Sequence, residues 1–185
     1  MKDRLTYWRP LMMNELVAFC EGRLAEAERW ALESIETMPG RATTWRAIKV
    51  RDDAEDHLGG WMLCSTNGIA HVLGAGSYDD DGKPLGFDRG TVEHIAANDP
   101  ASVLRDIETD RKLIARYKAA VKSHEEALKA LQDARKAGAE PGELGVAGED
   151  LAAAHARASA YLTVLEDRAA RFFDHPDYQP HWRQP

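Results

Sequence analysis

The stretch from Pro100 to Ala137 contains no interior glycine or proline, and this constrains the fold of the chain more than any other feature. At about 1.5 Å per residue, a helix over it is roughly 57 Å long, so we expect its far end to project from a domain of this size. Its apolar residues follow a heptad repeat, with a positions Ile107, Ile114, Val121 and Leu128, and d positions Val103, Asp110, Tyr117, His124 and Leu131.

A second amphipathic helix is predicted from Glu149 to Phe173, after the segment AGAEPGELGVAG interrupts the pattern. Its apolar stripe consists of Leu151, His155, Ala158, Leu162, Leu165, Ala169 and Phe172. A connection of about ten residues with glycine and proline predicts an antiparallel helical hairpin. Asp110 and His124 are polar at expected core positions, which fits either a device that fixes register or the edge of the buried stripe.

The N-terminal part of the chain predicts one helix. Asn14 is a good N-cap, Glu15 suits the positive end of a helix, and Pro39-Gly40 is a stop signal. Between them the apolar residues recur in steps of three and four at Leu16, Cys20, Leu24, Ala27, Ala31 and Ile35.

Residues 43–90 predict a small antiparallel sheet of three or four strands. TTWRAIKV is one strand, and the runs WMLCST and IAHVLG flank Asn67-Gly68, a strong signal for a two-residue hairpin. That turn pairs Thr66 with Ile69, Cys64 with His71, and Met62 with Leu73.

The sequence therefore predicts an α+β fold: an N-terminal helix and a small antiparallel β-sheet, with a long C-terminal antiparallel helical hairpin. We expect a small α+β head over residues 1–98, the hairpin over 99–173, and an extended aromatic tail over 174–185 that docks on the body.

The segment HIAANDPASVLRD raises the question of whether it is a chemical site or the start of a helix. After a short helix near 91–97, Asp99 can cap the long helix, and Pro100 stands where a missing N–H costs nothing. The following residues push Asn98 away from helix. This interpretation leaves only His94 without a structural role.

Three groups of residues carry metal-like chemistry. Cys64 opposite His71 supplies two ligands, whereas a structural zinc site needs four, so a core pair is the favoured interpretation. SYDDDGKPLGFD places Ser77, Asp79, Asp81 and Asp88 at calcium-ligand positions around Gly82 without flanking helices, and it is interpreted as a hairpin turn. We predict no metal site and no cofactor for this protein.

The third group is the C-terminal His175, Asp177 and His181. Pro176 and Pro180 predict an extended segment, in which this spacing does not converge the ligands. We favour a tail that docks through Tyr178 and Trp182, whose rings bury a large area.

The net charge of −7 excludes a broad nucleic-acid footprint, because phosphate neutralisation needs a basic face. No apolar run approaches the roughly 20 residues of a membrane span, and the N-terminal residues lack a secretory apolar core. The two cysteines do not make a disulfide framework. We expect a cytoplasmic protein without nucleic-acid or membrane partners.

Three stretches, NELVAFCEGRLAEAE, VEHIAANDPASVLRDIETDRKLIARY and FFDHPDYQPHWRQP, resemble an uncharacterised family of short actinobacterial and actinophage proteins, a domain of unknown function. The residues that fall on its motifs are His94, Asp99, Pro100, Arg105, His175, Pro176, Asp177, Tyr178 and Trp182. Asn98 stands where the motif has a second histidine. Many members carry cysteines before the ending, whereas this chain has none after Cys64 and has the second hairpin helix instead. The resemblance implies that the chain comes from an actinobacterium or its phage. It does not indicate an activity.

We expect a non-enzymatic protein-interaction or self-assembly module, because an apolar stripe on a projecting hairpin needs cover. Either a protein partner or a homo-oligomer would supply it. The expected contact residues are Ile107, Ile114, Tyr117, Val121, His124, Leu128 and Leu131.

Two alternatives remain open. One is a small metal-dependent hydrolase using His94, Asp99, His175, Asp177 and His181, which requires the tail to fold back beside Pro100. The other is an acidic inhibitor or DNA mimic, which needs acids in a continuous band, whereas here they alternate with Lys and Arg.

Overall fold

A computed structural model describes residues 10–37, 43–49, 61–65, 71–73 and 89–182. The fold is α+β, with long helices and a small antiparallel sheet, as predicted. Its elements are α1 (Pro10–Thr37), β1 (Trp45–Lys49), β2 (Trp61–Ser65), β3 (His71–Leu73), α2 (Arg89–Ala97), α3 (Pro100–Lys136), α4 (Pro141–Ala169), and 3₁₀ turns at Ala170–Phe172 and Pro180–Trp182.

The chain forms two compact units. Unit 1 combines the chain up to Leu24 with everything from Thr109 onward, and unit 2 spans Ala25–Glu108. Both α1 and α3 therefore contribute to each unit. The units do not follow the expected division at residues 98 and 173, which assigned each helix to a single region.

In unit 2 the strand order is β1-β2-β3 and both pairings are antiparallel. Cys64 pairs with His71 as predicted, but Leu73 pairs with Leu63 and not with Met62, because an irregularity between Leu63 and Cys64 shifts the register. Helix α2 packs on β1 and β2. Thr66, Ile69 and the predicted turn lie outside the described residues.

Helix α1 begins at Pro10, about one turn before the predicted N-cap at Asn14. The fixed φ angle of proline and its missing N–H suit the first turn of a helix, so Asn14 lies inside the helix. The helix ends at Thr37, before Pro39-Gly40, in agreement with the predicted stop.

Helices α3 and α4 form the predicted antiparallel hairpin, but α4 begins at Pro141 and not at Glu149. Only residues 137–140 connect the helices. Gly138 adopts the left-handed conformation with φ 73°, and the backbone N–H of Ala139 donates to the carbonyl of Ala134 at 3.0 Å. The predicted ten-residue loop was too long, because the glycines after Pro141 were taken to interrupt the helix and in fact lie inside α4. Each costs a helix only about 1 kcal/mol, which packing and continuation of α4 offset.

The interior of unit 1 is built by side chains of α1, both hairpin helices and the C-terminal segment. The buried cluster consists of Leu16, Val17, Phe19, Cys20, Ile114, Tyr117, Leu165, Ala169 and Trp182. Two polar contacts link the helices of the hairpin: Arg168 Nε lies 3.2 Å from Asp110 Oδ1, and the ring centres of His124 and His155 lie 5.4 Å apart. Among the described helices, none is long and apolar enough to cross a bilayer.

Candidate functional site

Asp99 is a structural carboxylate in unit 2. Its Oδ1 accepts the backbone N–H of Ser102 at 2.6 Å, and its Oδ2 accepts the backbone N–H of Trp45 at 3.1 Å. The side chain is buried. Asp99 therefore caps α3, as predicted, and also fixes the start of β1, so both of its oxygens already have partners in the folded protein.

His94 and Asn98 form the end of α2. The side-chain amide of Asn98 donates to the carbonyl of His94 at 2.8 Å, and this closes the helix. The His94 ring is exposed on the last turn of α2. The stretch that opens at His94 thus ends one helix and starts the next.

The C-terminal segment is not extended, and this prediction was wrong. It forms successive turns, in which the backbone N–H of Tyr178 donates to His175 O at 2.9 Å and that of Trp182 to Gln179 O at 3.0 Å. A 3₁₀ turn begins at Pro180. The prolines occupy first positions of turns, where the absent N–H has no cost.

His175 contacts α1. Its Nε2 meets Arg23 Nη1, and on its other side the backbone N–H of Asp177 donates to Nδ1 at 3.1 Å. The Asp177 carboxylate lies 3.8 Å from Nδ1. His181 is exposed and its ring contacts Trp182. In the part of the chain that the structure describes, which includes all five residues of the hydrolase hypothesis, no group of three or more His, Cys, Asp or Glu side chains can hold a metal ion.

Phe19 is the centre of an aromatic cluster that holds the C-terminal segment. The ring centre of Phe19 lies 5.0 Å from Trp182, 6.1 Å from Tyr178 and 6.2 Å from Phe172. Trp182 is only 5% exposed. Sequence reasoning identified Tyr178 and Trp182 but gave Phe19 and Arg23 no role at this site. The signal for them was their spacing of four on α1, one turn apart on the same face.

A groove of about 390 Å³ lies beside this cluster, between α1 and the C-terminal segment. Phe19 and Trp182 contribute aromatic surface to it, and Glu15 and Asp177 contribute carboxylates. The complete lining is Glu15, Ala18, Phe19, Gly22, Arg23, Asp177, Gln179 and Trp182. The groove thus combines two carboxylates and the Arg23 guanidinium with the edges of two largely buried rings, a lining of mixed charge.

A smaller cavity of about 50 Å³ contains the Cys20 thiol and the Asp110–Arg168 ion pair. Burial, then the charges of Asp110 and Glu21, raise the pKa of Cys20 to about 11. The thiol is therefore protonated at neutral pH and is a poor nucleophile there.

Four of the seven predicted partner-binding residues are buried within the protein. Ile114, Tyr117 and Leu131 are buried in unit 1, and Ile107 is buried in unit 2. Val121 and His124 are half-buried, and Leu128 is 38% exposed. Burial, then the charge of Glu166, raises the pKa of Tyr117 to about 12. The chain itself thus covers most of the heptad stripe and leaves Leu128 partly exposed.

Two further candidate metal sites stay predictions. The backbone register places Cys64 opposite His71, but the side chain of His71 is not among the described parts of the structure. The proposed calcium loop, with Ser77, Asp79, Asp81, Gly82 and Asp88, also lies outside the described residues.

The comparison with protein-family models agrees with the resemblance that the motifs indicate. A model described as "Family of unknown function (DUF6221)" matches residues 13–184. The chain belongs to this family. No curated protein and no solved structure matches it.

Proposed function

We propose that the protein is a protein-interaction module and that its contact surface is the Phe patch, which we define as Phe172 and Phe173 directly after α4. The observation that carries this proposal is the exposure of the Phe173 ring, which is 70% exposed and lies beside the partly exposed Phe172 (37%), in a chain that covers most of its own heptad stripe. Aromatic side chains contribute strongly to interface energies. Arg171 and Asp174 flank the patch and are exposed, giving it the charged rim common at interfaces.

The partner is a second copy of the chain or another protein with an apolar surface. In the actinobacterial or phage setting that the resemblance implies, the second case corresponds to a host protein or a virion component. The two lone cysteines, both buried and free, suit a cytoplasmic setting.

The test compares the parent chain with a Phe173→Ser variant, because Phe172 also packs on Phe19 in the aromatic cluster. Light scattering over a range of concentrations measures self-association, and affinity capture from host extract with mass spectrometry measures partner binding. We expect the parent to associate with itself or with a captured protein, and the variant to lose that association. A monomeric parent whose captured proteins do not change in the variant would contradict the proposal.

Val146 serves as the matched control, since it is 61% exposed on α4 outside the Phe patch. A Val146→Ser variant is expected to retain the association. Equal loss in both variants would indicate general stickiness and contradict a specific Phe patch.

A further inference from the structure

Two histidines face each other across the hairpin, away from the Phe patch. His124 lies on α3 and His155 on α4, and their ring centres are 5.4 Å apart with planes inclined by 53°. Both side chains are half-buried, so solvent and small ions reach them. The packing of α3 on α4 fixes both backbones, so the pair is preorganised.

The separation of the rings matches that of two imidazoles on one tetrahedral ion. A zinc–nitrogen bond of about 2.1 Å places each ring centre roughly 3.3 Å from the metal, and at a tetrahedral angle two such centres are about 5.4 Å apart. We propose that His124 and His155 form a two-histidine site for Zn²⁺ or a similar divalent transition metal, with water completing the coordination.

A serine on α4 lies next to one of the two rings. Ser159 Oγ lies 3.5 Å from His155 Nε2, where it can orient that ring.

The ligand set defines which ions bind and how tightly. Imidazole nitrogen suits zinc, copper and nickel, whereas magnesium and calcium prefer oxygen ligands. The described residues supply no third His, Cys, Asp or Glu ligand, so the site is an exchangeable one.

The test uses the full chain freed of metal with a chelator and titrated with Zn²⁺ alone, with Mg²⁺ as the control ion. Millimolar Zn²⁺ is expected to raise Tm by about 2–4 °C, because an ion that binds only the folded state stabilises it, and Mg²⁺ is expected to leave Tm unchanged. His124→Gln and His155→Gln variants are each expected to lose the shift.

His94 and His181 provide matched controls because both are exposed and lie outside the pair. Their Gln variants are expected to keep the zinc-dependent shift. NMR supplies a readout that does not depend on stability: the imidazole signals of His124 and His155 are expected to shift together on adding Zn²⁺. A Tm shift that survives in His124→Gln, or imidazole signals of the pair that do not respond to Zn²⁺, would overturn the proposal.

Discussion

Asp99 shows how one side chain joins two elements. Its two carboxylate oxygens accept backbone N–H groups from α3 and from β1. Removal of the buried carboxylate therefore leaves both N–H groups without this acceptor. We expect Asp99→Ala to lower the free energy of unfolding by about 1–3 kcal/mol.

Urea denaturation measures this effect, with Asp106→Ala as the control. Asp106 is exposed two turns further along α3, so its replacement is expected to change stability by less than about 0.5 kcal/mol. Equal effects of the two substitutions would refute the double role of Asp99.

Cys20 makes the folding stability of the protein depend on pH in the alkaline range. The unfolded chain releases the thiol proton near pH 9, whereas the folded chain holds it until about pH 11. Since the folded state then binds more protons than the unfolded state, stability falls as pH rises through this window.

Urea denaturation at pH 8 and pH 10 of the parent and of Cys20→Ala measures this contribution. The cavity left by the substitution destabilises the variant equally at both pH values. The difference between parent and variant in their change of stability from pH 8 to pH 10 therefore reports only the thiol ionisation. We expect the parent to lose more stability than the variant between the two values, and an identical loss would show that the thiol is not shielded.

At the scale of elements, sequence reasoning was strongest where a pattern was long and local. It identified α3, the antiparallel hairpin and the Cys64–His71 register. It misplaced the start of α4, because glycine is a weak breaker when a helix continues past it with packing on one side. It also missed the register shift between Leu63 and Cys64, because no residue type at this point of the sequence indicates an irregular strand.

The candidate site was harder to predict because its contacts are distant in sequence. Arg23 and His175 are separated by 152 positions. The sequence left open whether Asp110 and His124 fix register or mark the edge of the buried stripe. In the structure Asp110 faces Arg168 of α4, and His124 faces His155. These pairings favour the interpretation that polar seam residues set register, which a single helix viewed alone cannot reveal.

Substitutions of two glycines near the hairpin loop test the position at which α4 begins. Gly145 is inside the helix, and a Cβ built there meets nothing within 4 Å, so Gly145→Ala is expected to raise stability by about 1 kcal/mol. Gly138 has φ 73°, which disfavours a side chain, so Gly138→Ala is expected to lower it by about 1 kcal/mol.

Thermal unfolding of both variants distinguishes the two positions. Opposite signs are the result expected for a helix that starts at Pro141. A destabilised Gly145→Ala variant would instead indicate a loop that extends to residue 148.

At the scale of the whole molecule, the chain buries most of its heptad stripe, while several apolar side chains of the described residues stay exposed. A net charge of −7 opposes non-specific association, so the proposed association requires a local patch such as Phe172 and Phe173. The acidic-mimic hypothesis stays a prediction, as does the hydrolase hypothesis, whose five residues form no metal-holding group in the described structure.

The fold depends on the packing of α3 against α4 within one chain, in the register in which Asp110 meets Arg168 and His124 meets His155. The most direct measurement is a spin-label distance between Lys122→Cys and Ala156→Cys, both exposed and nearly level in this register, with Cys20 and Cys64 replaced by serine. Labelled chains are diluted into unlabelled protein, so that only distances within one chain contribute. Because packed helices lie about 8–10 Å apart, we predict one narrow distribution below about 25 Å, and a broad distribution or one centred far beyond it would contradict the account.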